Sequence, residues 1–64
     1  MMTDSEMWRE ACRLLRSEGA GVRLYMAERV GQAAGRGDKE AVAEWNAIAD
    51  RVDAMQEAAR KGHH

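Results

Sequence analysis

Between Asp38 and Lys61 the larger apolar residues recur at alternating steps of four and three: Ala41, Trp45, Ile48, Val52, Met55 and Ala59. No glycine or proline interrupts this stretch, so the spacing predicts one helix over 38–61, of about six to seven turns. Such a heptad-like seam lies along partner helices, with Trp45 as its largest anchor. Two shorter helices precede it. Over 4–18, Met7, Trp8, Ala11, Cys12, Leu14 and Leu15 share one side, and Arg9, Arg13 and Arg16 lie opposite with Glu6 and Glu10 beside them. Over 20–34, Val22, Met26, Val30 and Ala33 form a main stripe, while Leu24, Ala27 and Gly31 form a second face. A helix apolar on more than half its circumference sits between two neighbours. Gly31 costs about 1 kcal/mol of helix propensity against alanine, which predicts a close helix approach there.

The punctuation agrees with this division. Thr3 and Glu6 have the spacing of a capping box, and Met2 and Met7 fall where a hydrophobic staple sits. Gly19 and Gly21 end the first helix, since glycine takes the left-handed position past a helix end without cost. Gly35-Arg36-Gly37 ends the second, and Asp38 is placed to cap the third with its carboxylate. Turns this short make neighbouring helices antiparallel. The expected fold is therefore all-α, a three-helix up-down bundle with a long C-terminal helix, in one domain over residues 1–64. Its most buried large residues are expected to be Trp45, Ile48, Val52, Met7, Leu14, Val22, Met26 and Val30.

Composition narrows the classes. Twelve alanines with no proline and no phenylalanine suit helices and argue against a sheet. Sixty-four residues are close to the size at which one core barely suffices, which makes a core shared between two copies attractive. The formal net charge of −1 points to neither nucleic acid nor an anionic membrane. One cysteine excludes an internal disulfide. The acidic N-terminus lacks the apolar run of a signal peptide, and no stretch approaches the length of a membrane span. Eight arginines against two lysines, with abundant alanine and glycine, suggest GC-rich coding and hence a bacterial cytoplasmic protein.

Few residues invite a chemical role. Arg9, Arg13 and Arg16 form a candidate contact face for phosphates, although Glu6, Glu10 and Glu18 offset them. A DNA-reading third helix is disfavoured, because Asp38 to Lys61 holds six acids against four bases and Asp50, Asp53 and Glu57 face outward. Cys12 has no histidine near it in sequence and reads as a small buried hydrophobe. Gly62-His63-His64 reads as a frayed end or a tag remnant. The two adjacent histidines do not put two ligands on one helix face, so no metal is expected. The carboxylates lie on solvent faces without the pairing that acid–base work needs. Arg36-Gly37-Asp38 spells an adhesion tripeptide, but those residues already stop one helix and cap the next. Ala27, Gly31 and Gly35 have the spacing of a membrane packing motif, which Glu28, Arg29 and Gln32 exclude from lipid. Ala43, Ala47, Ala54 and Ala58 form a second smooth stripe on the third helix, away from the Trp45 seam.

A resemblance accompanies these features. Ala27-Glu28-Arg29-Val30, Gly37-Asp38, Val42, Trp45, Ile48-Ala49 and Arg51, with Met7-Trp8 and Ala11-Cys12, are similar to a family of short uncharacterised helical proteins from alphaproteobacteria, a domain of unknown function. The likeness covers about residues 5–55. Family members carry a histidine before the first turn's glycine, where this chain has Ser17-Glu18-Gly19, so no role is carried over to that turn. The resemblance implies a helical fold and a bacterial origin, and no activity, cofactor or substrate.

The sequence thus leads to a non-enzymatic helical interaction or regulatory module without a cofactor. It is expected to form a homodimer and to bind a further protein partner that the sequence does not identify. Ala43, Ala47, Ala54, Met55, Ala58 and Ala59 are the candidate interface. The alternative is a nucleic-acid-associated regulator that uses the arginine face of the first helix.

Overall fold

A computed structural model describes residues 2–62. The fold is all-α, with no strand among the described residues. Helix α1 spans Asp4–Glu18, α2 spans Val22–Gly35 and α3 spans Lys39–Lys61. A 3₁₀ turn, Gly19–Gly21, joins the first two directly. Every residue from Asp4 to Gly35 is therefore helical, and the chain counts as two unbroken helical stretches instead of the three separate helices expected. The reason is local. Gly19 takes φ 55° and ψ −126°, outside helical geometry, while its N–H still donates to Leu15 O, so the chain changes direction with no loop residue between α1 and the 3₁₀ turn.

Each boundary has a chemical cause. Thr3 accepts from the Glu6 N–H at 3.2 Å, and the Thr3 N–H donates to Glu6 Oε1 at 2.9 Å, which completes the reciprocal cap. Asp38 Oδ1 accepts from the Ala41 N–H at 3.0 Å and starts α3. Gly37, at φ 70°, lets the Asp38 N–H turn back onto Ala33 O at 3.0 Å.

The packing departs from an up-down arrangement in one respect. Helix α3 packs along both α1 and α2, whereas α1 and α2 touch each other little. Both lie against the same stretch of the third, Met7 and Glu10 beside residues 40–48 and Met26 and Val30 beside residues 46–52. The chain therefore reverses at Gly19–Gly21, while the two shorter helices stay splayed apart. Helix α2 is antiparallel to α3, with Arg23 facing Asp53 at 3.3 Å near one end and the Gly35–Asp38 turn at the other. The core consists of Ala11, Leu14, Val22, Met26, Ile48 and Val52, and Ala33 is buried beside the second turn. Met7, Leu15, Tyr25, Trp45 and Met55 pack on its edges.

Several expected core residues are less buried than the pattern implied. Trp45, Met7 and Val30 are half-buried, and Trp45 meets Tyr25 edge to face with ring centroids 6.3 Å apart. Two small residues outside that expected set, Ala11 and Ala33, are fully buried. Cys12, expected inside, is exposed. It and Trp8 lie farther around α1 than the Met7–Ala11–Leu14 line, beyond the reach of α3. Gly31 marks no close approach, because a Cβ there would meet nothing within 4 Å. With α1 elsewhere, Leu24, Ala27 and Gly31 simply face outward. Gly62 caps the end of α3, and the expected frayed end at His63 and His64 lies outside the described residues.

Two consequences can be measured. Leu14→Ala should destabilise the chain by about 2–5 kcal/mol, and Trp45→Ala by less than the ~3–5 kcal/mol of a fully buried aromatic, in denaturant titrations. The capping hydrogen bonds from Thr3 hold the Glu6 carboxyl below its ordinary value of 4.5. A carboxyl lowered on folding contributes stability that is present above that value and is lost as pH falls below it. Glu6→Gln should therefore flatten the acid limb of the stability profile and leave the profile's shape near pH 7 unchanged.

Candidate interaction surfaces

The outer side of α1 carries Arg9, Arg13 and Arg16, all exposed. They line an open depression of about 560 Å³ together with Met2, Glu6, Glu10 and Cys12. Apart from Met2, every lining residue belongs to one helix, so the depression is relief on a single surface and not a cleft between elements. Its charge is mixed. Arg13 is ion-paired with Glu10, one turn before it, and this contact lowers the Glu10 carboxyl and raises the Arg13 guanidinium.

The alanine stripe of α3 lies partly free. Ala43, Ala54, Ala58 and Ala59 are exposed, while Ala47 and Met55 are half-buried. Met55 continues the core seam, and Ala58 and Ala59 lie beyond the cover that α1 and α2 provide. Ala43 also borders a small, mostly apolar hollow of about 210 Å³ that Met7, Glu40 and Glu44 complete between α1 and α3. The six residues named as an interface thus occupy more than one exposure class on α3. They are not brought together into a cavity.

The most connected side chain is one that periodicity did not single out. Arg51, on the edge of α3, is ion-paired with Asp4 in the first turn of α1. Its Nη1 donates to Ala47 O at 2.8 Å, and its guanidinium carbon stands 5.7 Å from the Trp8 ring centroid. Its Nε is buried with no partner among the described residues. An arginine can do all this because its planar head is weakly hydrated and stacks on aromatic faces. Trp8, 39% exposed, is consequently clamped at the α1–α3 boundary instead of entering the core. A second tie joins the same elements, from the Met2 N–H to Glu44 Oε2 at 3.4 Å. On the other flank, Arg29 lies 5.0 Å over Tyr25, which leads to Trp45. A basic residue one position before a seam residue, and an acid in a first turn, are too common to have been distinctive in the sequence.

A third surface is the groove between α2 and α3, of about 470 Å³. Ala27, Val30, Gly31 and Ala49 floor it, and Arg23 and Asp53 stand at its edge. Among the described residues no three of His, Cys, Asp and Glu are grouped to hold a metal ion. Among the described residues no helix is long and apolar enough to cross a membrane. None of the three surfaces joins a nucleophile, a base and an orienting group.

A family model described as a family of unknown function, DUF6961, matches residues 3–60. No curated protein and no solved structure matches the chain.

If the arginine face is only solvated surface, replacing Arg9, Arg13 and Arg16 together by Gln should shift stability little, because exposed ion pairs contribute about 0–1 kcal/mol each. An unchanged melting curve accompanied by loss of a cellular phenotype would mark this face as a contact surface.

Proposed function

This chain belongs to DUF6961, a family of unknown function, and we propose that it is a small non-enzymatic helical module that acts through protein–protein contacts, first with a second copy of itself. Excess surface is the observation that carries this reading. The chain exposes 4656 Å², against about 4,100 Å² for a folded monomer of this mass. Its radius of gyration is 12.2 Å, against about 10.7 Å for a compact chain of this length. The elongated form, 44 × 23 × 17 Å, follows α3.

In this reading the three helical segments act as one bundle, and α3 supplies much of the dimer interface. Met55, Ala58 and Ala59 continue the seam past its intrachain cover, and Ala43, Ala47 and Ala54 offer a smooth flank. A two-fold arrangement places the same patch on both copies, so each covers the other's overhang. Further protein partners would meet the faces the dimer leaves open. The arginine-rich composition, with abundant alanine and glycine, supports a bacterial cytoplasmic setting. The nucleic-acid alternative is weaker, because Glu6 and Glu10 share the depression that phosphates would have to enter.

Sedimentation equilibrium at micromolar concentration tests the proposal. The expected mass is twice the 7.1 kDa of one chain, and Met55→Glu should shift it toward one chain. A single-chain mass that Met55→Glu leaves unchanged would reject self-association.

A further inference from the structure

Resting on the self-association reading, we propose how the two copies engage: the turn at Gly19–Gly21 opens, and α1 of each copy docks on α3 of the other. Three observations converge on this exchange. First, α1 owes its place to α3 and hardly to α2. The Asp4–Arg51 ion pair, the Arg51 guanidinium over Trp8 and the Met2–Glu44 hydrogen bond all join the start of α1 to α3. A partner's α3 offers the same contacts, so exchange keeps them all.

Second, nothing packs against the bend. A Cβ added at Gly19 or at Gly21 would meet no atom within 4 Å, and the bend rests on glycine's backbone freedom at φ 55°. A 3₁₀ turn inside an otherwise continuous helical run is a place where a helix hinges. Third, the geometry of opening is decisive. If the bend straightens, Asp4 to Gly35 becomes one helix about 48 Å long. Because Arg23 at the start of α2 lies level with Asp53, a straightened α1 points past the end of α3 and leaves its seat, where Met7 and Glu10 lie beside residues 40–48. The vacated face of α3 then needs an α1, and only a second copy brings one with the matching Asp4 and Trp8.

The experiment mixes two charge-reversed chains. One carries Asp4→Arg and the other Arg51→Asp, and one is enlarged by a tag so that masses distinguish the species. Within either chain alone, residues 4 and 51 repel. In an exchanged heterodimer both pairs become opposite again, Arg with Asp at one site and Asp with Arg at the other. After co-refolding, native mass spectrometry should show the heterodimer well above the statistical half of all dimers, with a melting temperature restored toward that of the parent. Dimers in statistical proportion, without restored melting, would overturn the exchange and leave self-association standing. Monomers throughout, in the parent as in the mixture, would overturn both.

A second variant needs no charge reversal. Gly19→Ala strains the bent backbone but suits a straight helix, so it should raise the dimer association constant about tenfold per hinge. A Gly19→Ala chain that melts lower and associates no better than the parent would overturn the exchange.

Discussion

The contact made by Ile48 and Val52 on α3 is the constraint on which the rest of the chain depends. Both are buried, and they lie one turn apart with their neighbours divided between the two other helices. Ile48 borders the Met2 and Glu10 side, where α1 lies, and Val52 borders the Met26 and Val30 side, where α2 lies. Because α1 and α2 touch each other little, each is held mainly by what α3 offers it. Burial of apolar area is non-directional, so this core explains cohesion and leaves orientation to other groups. Orientation comes from the ties at the edges. Arg51 holds the start of α1, Arg23 pairs with Asp53 across α2 and α3, and Asp38 fixes where α3 begins.

Much of this was legible in the sequence, for stated reasons. The helix ends were marked by side chains whose chemistry is local: Thr3 with Glu6, glycine at positions 19 and 37, and Asp38. The core faces of α2 and α3 were legible because Val22, Met26 and Ala33, and Ile48 and Val52, repeat at helical spacing. What remained hidden depends on the third dimension. Periodicity assigns a residue to a face, but it does not reveal how wide a neighbour's footprint is. Trp8 and Cys12 lie on the apolar side of α1 and still miss α3, while Ala11 is sealed because its small side chain permits close approach. How little α1 and α2 touch was hidden for a related reason. The two glycines turn the chain back as their positions imply, but through a single 3₁₀ turn that leaves α1 and α2 splayed on α3.

The candidate surfaces were legible to a lesser degree. The arginine face and the alanine stripe follow from spacing alone, and both prove largely exposed. The Asp4–Arg51–Trp8 cluster could not be read in the same way, because its members are separated by 47 positions between Asp4 and Arg51. Only the packing of α1 on α3 brings them together. In the proposed exchange, the α3 that receives α1 would receive it through this arginine.

Native-state hydrogen exchange on the full chain tests most directly whether α3 is the shared support. Sub-global openings should release α1 or α2 while α3 persists, because each of the shorter helices can detach without the other. The slowest amide exchange is expected around Ile48 and Val52, with faster exchange in α1 and in α2. Amides in α1 or α2 as protected as those around Ile48 and Val52 would contradict it.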